Sequence, residues 1–266
     1  MNIFQYDFMI KALIVGFVIS IIIPAIGTIV VNKRNSMVGD ALSHTSLTGV
    51  SLGLILGINP IIGAIITCVF AAFFMEFLRN KFPKGTDLST AVIMSFGIGL
   101  AAILSDFIPG SANLESFLFG SIVAISNIEM ILVIIVAIIV IIAYVMMYEG
   151  LVYIVFDESS ARLSGVPVKR INSVFTFLTA LTVAIGSRVV GVMMISSLMI
   201  LPVALAIRLA KSFNKTVLIS IILGIIYVIS GIFISFYLNI KPGGAIVLIG
   251  VAALILDILR KIIIKK

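Results

Sequence analysis

The sequence predicts an all-α, polytopic membrane protein with eight or nine transmembrane helices. Three observations predict it. The 266-residue chain is 62% hydrophobic and only 11% charged, against about 25% charged in ordinary globular chains, and its mean hydropathy is +1.34. Apolar stretches of close to ~20 residues, the length that spans a bilayer, follow one another along nearly the whole chain. Basic residues alternate, gathering in every second connection.

The stretches lie near residues 8–31, 37–57, 60–78, 88–106, 128–148, 171–187, 190–207, 216–238 and 243–260. The first is too long for the core of a signal peptide and has no small-residue cleavage site after it, so it reads as a retained span. Only Ser187-Arg188-Val189 separates the sixth from the seventh. Those two read either as two spans or as one broken helix plus a short one. Pro202 is expected to kink or break the seventh. Spans account for most of the length, so residues 1–266 form a single transmembrane domain without a soluble one.

Orientation follows from lysine and arginine. One set of connections carries Lys33, Arg34, Arg79, Lys81, Lys84, Arg162, Lys169, Arg170, Arg208, Lys211, Lys215, Arg260, Lys261, Lys265 and Lys266, which are fifteen of the 18 basic residues. The other set has only Lys11, Arg188 and Lys241. This bias places the N-terminus outside and the C-terminus in the cytoplasm of a multi-pass cell (plasma or inner) membrane protein. The net charge of +7 is accounted for by these loops and does not call for nucleic acid. The one cysteine, Cys68, excludes an internal disulfide and a thiolate cluster.

Two connections exceed simple turns. The outer one, between Asp106 and Ile128, holds an apolar segment from Ser116 to Ile125. It is too short to cross and reads as a surface or re-entrant helix. The inner one, from Glu149 to Arg170, reads as a short amphipathic helix on the cytoplasmic face. Asp157 caps it, it runs through Ala161, and Gly165 ends it before Pro167. Such a helix reads as a docking element, with a plain connector as the alternative.

The chemistry concentrates in the second stretch, in Gly39-Asp40-Ala41-Leu42-Ser43-His44. A charged side chain inside a membrane helix costs roughly 2.5–3.5 kcal/mol on insertion scales. Asp40 and His44, the only histidine, stand one helical turn apart and form half of a divalent-metal site. At 100° per residue Asp40, His44, Thr48 and Ser51 share an arc of roughly 80°, which makes Thr48 and Ser51 candidate lining residues of a pathway. The opposite side carries Gly39, Ser46, Gly49 and Gly53, and Gly49 to Gly53 has the GxxxG spacing that lets a helix approach closely. Simpler readings exist for the pair: Asp40 as a carboxylate on a helix N-terminus, His44 as a buried histidine bonded to a neighbour. Their joint placement on one polar stripe favours the metal. Two ligands are too few for a tight structural site, which suits an ion in transit. Two copies of the chain around an axis, or other residues and water, would complete the shell. Glu76, near the inner end of the third stretch, is a further candidate lining residue, with the alternative of a carboxylate reaching the interface.

There is no phosphate-binding loop of the GxxxxGK[ST] kind and no HExxH-type motif. The chain therefore reads as a transporter and not an enzyme. Any ATP hydrolysis belongs to a separate chain, and a gradient-driven metal transporter or channel is the alternative.

The run from Met37 to Val50 resembles the signature of the membrane permeases of bacterial ATP-binding-cassette importers for zinc, manganese and iron. Leu118-Phe119-Gly120, Phe156-Asp157 through Ala161 to Gly165, Val190-Gly191, Ile200-Leu201-Pro202-Val203-Ala204 with Arg208, and Lys241-Pro242-Gly243-Gly244-Ala245 extend the resemblance over nearly the whole chain. Val203-Ala204-Leu205-Ala206 is a minor departure from the family's alanine-rich segment. The resemblance implies a homodimer of permease domains. Each copy would dock a cytoplasmic ATP-binding subunit through a coupling helix at about Asp157 to Gly165, including Ala161, and an extracytoplasmic metal-binding protein would deliver the ion. It places the intramembrane ligands on Asp40 and His44, with no permanently bound cofactor and Zn2+ or Mn2+ as cargo. Thr45 to Val50, Leu56 to Pro60 and Ile195 to Leu198 look nearest to zinc-type members, so zinc is favoured over manganese. No cysteine lies on the stripe, which argues against a copper(I) path.

Overall fold

The computed structural model describes residues 5–82, 86–109, 115–121 and 125–264. Lys84, Lys265, Lys266 and Ile122-Val123-Ala124 lie outside the described residues. Among these residues all regular structure is helical. The order is α1 (Asp7–Asn32), α2 (Met37–Leu56), α3 (Pro60–Lys81), α4 (Thr86–Ser105), α5 (Glu115–Leu118), α6 (Asn127–Phe156), α7 (Glu158–Leu163), α8 (Val168–Gly186), a 3-10 turn (Val192–Met194), α9 (Ile195–Leu209), α10 (Phe213–Leu238) and α11 (Pro242–Ile264).

Each of the nine apolar stretches became one long helix. Seven are long and apolar enough to cross a membrane by length and composition: α1, α3, α4, α6, α8, α9 with its preceding turn, and α10. The chain is therefore polytopic. At 1.5 Å rise per residue, α2 and α11, with 20 and 23 residues, are as long as a bilayer core is thick. The polar run from Asp40 to Ser51 is what keeps α2 from the same degree of apolarity.

α1 is the central post. It packs on α10, α9, α6 and α8, and its side chains from Ile19 to Val30 are nearly all buried. α6 lies at the rim, where Ile128, Ile131, Ile135, Ile138, Ile142 and Val145 are exposed. Isoleucines facing outward along a 30-residue helix are what a lipid-facing surface requires. Ser126 accepts from the Glu129 amide and Glu129 accepts from the Ser126 amide, a capping box that fixes where α6 starts.

Four expectations need correction or refinement. α6 runs eight residues past the expected end at 148, to Phe156. Nothing between breaks a helix, and the Tyr148 hydroxyl donates to Asn214 Oδ1 at 2.7 Å, anchoring the extension to α10. α8 and α9 are two separate helices, divided by the turn at 187–194. Pro202 does not break α9, which is continuous from Ile195 to Leu209. Of the helix expected at 116–125, the described residues show the four-residue α5, and Gly120 after it takes a φ of +79°, outside the helical range.

The connections 33–36, 157–167 and 210–212 lie at one end of the bundle, which is rich in lysine and arginine and is here called the basic end. The connections 57–59, 187–194 and 239–241, with residues 106–109, 115–121 and 125–126, lie at the opposite end.

Candidate metal site on an open face of α2

α2 is held on most of its circumference. α3 and α4 pack along it, and α8, α9, the 3-10 turn and α5 touch it as well. The contact with α3 is a backbone crossing. A Cβ on Gly49 would stand 2.4 Å from the Gly63 carbonyl oxygen, and one on Gly63 would stand 2.2 Å from that of Gly49. Only glycines allow that approach. The small-residue side of α2 thus serves α3 through Gly49 and Gly53, while Gly39 faces Ser196 and Met199 of α9.

One side is partly open. Met37, Asp40, His44, Leu47, Leu54 and Ile55 keep exposure, and at 100° per residue they fall within roughly 100° of one another; Ser51 on the same side is fully buried, and Leu52 and Leu56 keep exposure outside it. Asp40 sits in the first turn of α2, and His44 lies one turn further on. Their α-carbons are thus separated by about 6 Å along the axis. Both are partly exposed and lie on the same side of α2. An acid and an imidazole at this spacing offer one oxygen and one nitrogen to a divalent ion. Among the described residues no group of three or more His, Cys, Asp or Glu is placed to hold a metal.

The other expected lining residues lie elsewhere. Thr48 is buried, and its hydroxyl donates to the Gly97 carbonyl of α4 at 2.9 Å. It fastens α2 to α4 beside the open arc. Ser51 is fully buried, with no hydrogen-bond partner for its hydroxyl. Glu76 is far along α3, at the basic end, 4.0 Å from Arg79 and beside a separate cavity.

The expected short inner helix forms and is α7. Asp157 Oδ1 accepts from the amides of Ser159 at 2.9 Å and Ser160 at 3.2 Å, and Oδ2 accepts from the Ser160 hydroxyl at 2.5 Å. The Ser160 hydroxyl and these amides hold the carboxyl below its usual range. Ala161 is buried against Ile154 and Val168, and Gly165 leaves the helix at φ +83°. All three residues therefore build α7. What α7 presents outward is Leu163, 90% exposed, next to Phe156, 72% exposed. The sequence reading missed these two; an isolated leucine and phenylalanine beside charged residues were the available signal.

It also missed Glu129. Arg188, at the opposite end, is buried with its Nε 3.2 Å from the Glu129 carboxylate and its guanidinium 4.5 Å from the Phe117 ring centroid. Ser121 donates its amide to the Arg188 carbonyl and Gly243 donates to that of Phe119, so α5, the 187–191 turn and α11 are knotted together there.

The model of the ABC 3 transport family matches residues 5–261. The chain belongs to that family. It is accordingly a multi-pass membrane transport subunit of the cell membrane and not an enzyme. Family relatives include a probable metal transport system membrane protein of Treponema pallidum, 33% identical over 96% of each chain. The manganese transport system membrane protein MntC of Listeria monocytogenes is 29% identical, covering 92% of this chain and 88% of its own. The high-affinity zinc uptake system membrane protein ZnuB of Haemophilus influenzae is 28% identical, covering 97% and 99%. Among solved structures, PsaBC from Streptococcus pneumoniae in complex with Fab matches with a TM-score of 0.83 at 28% identity, over 94% of this family member and 91% of that chain.

Proposed function

We propose that this chain is the membrane-spanning permease subunit of an ATP-driven importer for a divalent transition metal ion. Asp40 and His44 bind the ion in transit. The observation that carries this reading is their shared position, one helical turn apart, on a partly exposed side of α2. A metal-ligating pair on an unpartnered face, with two ligands per chain, is half of a site that a second copy completes. Two copies about an axis would offer two carboxylates and two imidazoles, a set that suits a first-row divalent ion. The working unit is thus a homodimer, with Ser51 and Thr48 flanking the route and Glu76 near its basic end.

The basic end faces the cytoplasm, so the N-terminus is outside. There α7, rimmed by Leu163 and Phe156 and set by Asp157, Ala161 and Gly165, docks an ATP-binding subunit, while an extracytoplasmic metal-binding protein loads the other end. Relatives named for manganese and for zinc support a metal cargo, and nitrogen plus carboxylate suits both ions. Zinc is the preferred cargo on the sequence likeness around Thr45 to Val50. The direct test assembles the chain with its ATPase partner and measures ATP hydrolysis with each metal-loaded binding protein in turn. Stimulation by zinc above manganese supports the full reading. Stimulation by neither, or metal flux through the chain alone without ATPase, contradicts it.

A further inference from the structure

A cavity of about 240 Å³ lies at the basic end, away from the Asp40/His44 face. The ends of α1 to α3, helix α7 and the first turns of α8 enclose it. Four cationic side chains line it, Lys33, Arg79, Arg162 and Lys169, against two carboxylates, Glu76 and Glu158. The cations are unevenly matched. Arg162 has Glu158 at 3.0 Å on exposed α7. Arg79 reaches Glu76 only at 4.0 Å, through Nη1. Its Nε and Nη2 are buried and have no hydrogen-bond partner among the described residues. Buried donors without partners are rare because each forfeits its hydration. Lys33 donates to Asn172 Oδ1 at 2.6 Å; burial, above all, holds this ammonium below its ordinary range. The opening turns of α8 also face the cavity, and a helix start favours negative charge.

We propose that this cavity binds a phosphoryl anion, seated on Arg79 and flanked by Lys33 and Lys169. The planar fork of a guanidinium matches phosphate oxygens, and the anion would satisfy the two unmet donors. The excess of two cations over carboxylates suits one such group. A phospholipid headgroup and a free phosphate share this chemistry. Glu158 and Arg162 of α7 form part of the same wall, so an occupant ties the docking helix to α1, α3 and α8. The site does not depend on the metal reading.

The test uses the full chain in phosphatidylcholine nanodiscs. Thermal melting is followed with phosphatidylglycerol added to the bilayer, with inorganic phosphate, and with sodium chloride at matched ionic strength. Native mass spectrometry counts retained lipid. Wild type should melt higher with phosphatidylglycerol or with phosphate than with chloride. Arg79→Gln should weaken the apparent affinity about tenfold or more, as loss of charge-assisted contacts implies. Lys33→Gln, a milder change at the rim, should weaken it less and keeps the test open if Arg79→Gln folds poorly. A response to phosphatidylglycerol alone assigns a lipid headgroup; a response to phosphate as well assigns a free anion. Equal melting in every condition, or an undiminished response in both variants, overturns the site. So does a response abolished by adding the ATPase subunit, which would give the cavity to a protein side chain.

Discussion

Thr48 of α2 and Gly97 of α4 are joined by a hydrogen bond of 2.9 Å, one turn beyond His44. The contact is so close that a Cβ on Gly97 would lie 2.9 Å from the Thr45 nitrogen and 3.1 Å from the His44 carbonyl carbon. α4 is thus the back wall of the candidate site, holding His44 toward the open arc. Gly97→Val should force the two helices apart. The expected cost is about 1–3 kcal/mol from overpacking, with a melting point lowered by a few degrees and metal uptake reduced more than expression. Thermal unfolding in detergent and tracer uptake in cells check both.

Arg188 and Glu129 form a buried pair at the opposite end. Glu129→Gln leaves the guanidinium without its carboxylate, and breaking a buried pair typically costs about 3–5 kcal/mol. Arg188→Met combined with Glu129→Leu removes both charges and should recover much of that loss. Melting of Glu129→Leu, Arg188→Met and the double variant checks it. Additive losses would mean that the pair is uncoupled.

Leu163, which ends α7, and Phe156, which ends α6, are strongly exposed apolar groups. Leu163→Asp should weaken association with the ATPase subunit while leaving the isolated chain as stable as wild type. Co-purification yield and melting separate the two effects. Asp157→Ala should weaken docking too, by loosening the first turn of α7.

Acid should leave α7 intact well below neutrality. The Asp157 carboxyl is held below its usual range by the Ser160 hydroxyl and the Ser159 and Ser160 amides, so the folded form binds its proton less readily than the unfolded one. The cap's stabilisation is full above the ordinary carboxylate value and is lost only as pH falls through the lowered one. Association with the ATPase subunit should therefore be flat from neutral pH down to the ordinary carboxylate range for this cap. A loss of docking near neutral pH that Asp157→Asn abolishes would contradict it.

Leu47 lies in the open arc with Asp40 and His44. If a second copy covers that arc, Leu47→Cys should cross-link to its partner through a short bifunctional thiol reagent in membranes. Cys68 is fully buried and should stay unreacted. Only monomer after reaction would remove the shared site.

Much of this was legible in the sequence, and the boundary follows from physics. Helix identity rests on local apolar length, so α1 to α4 and α6 to α11 could be read directly, as could the Asp157 cap and the Gly165 exit of α7. The pair on α2 was legible because residues four apart on one helix share a face. Long-range partners were not. Glu129 and Arg188 are 59 residues apart, and nothing local links them. Thr48 shares the angular arc of Asp40 on an ideal helix, but α4 approaches at Gly97 and claims its hydroxyl. Glu76 was read as a pathway-lining residue or a carboxylate reaching the interface, and only the fold sets it beside Arg79 and a cavity at the basic end.

The central claim is that Asp40 and His44 bind a divalent cation during transit. The most direct measurement is uptake of radiolabelled zinc and manganese in cells carrying Asp40→Asn or His44→Gln, with assembly of the complex verified by co-purification. The account predicts that uptake in both variants falls to the level of cells lacking the chain while the complex assembles normally. Wild-type uptake of both ions in both variants would contradict it.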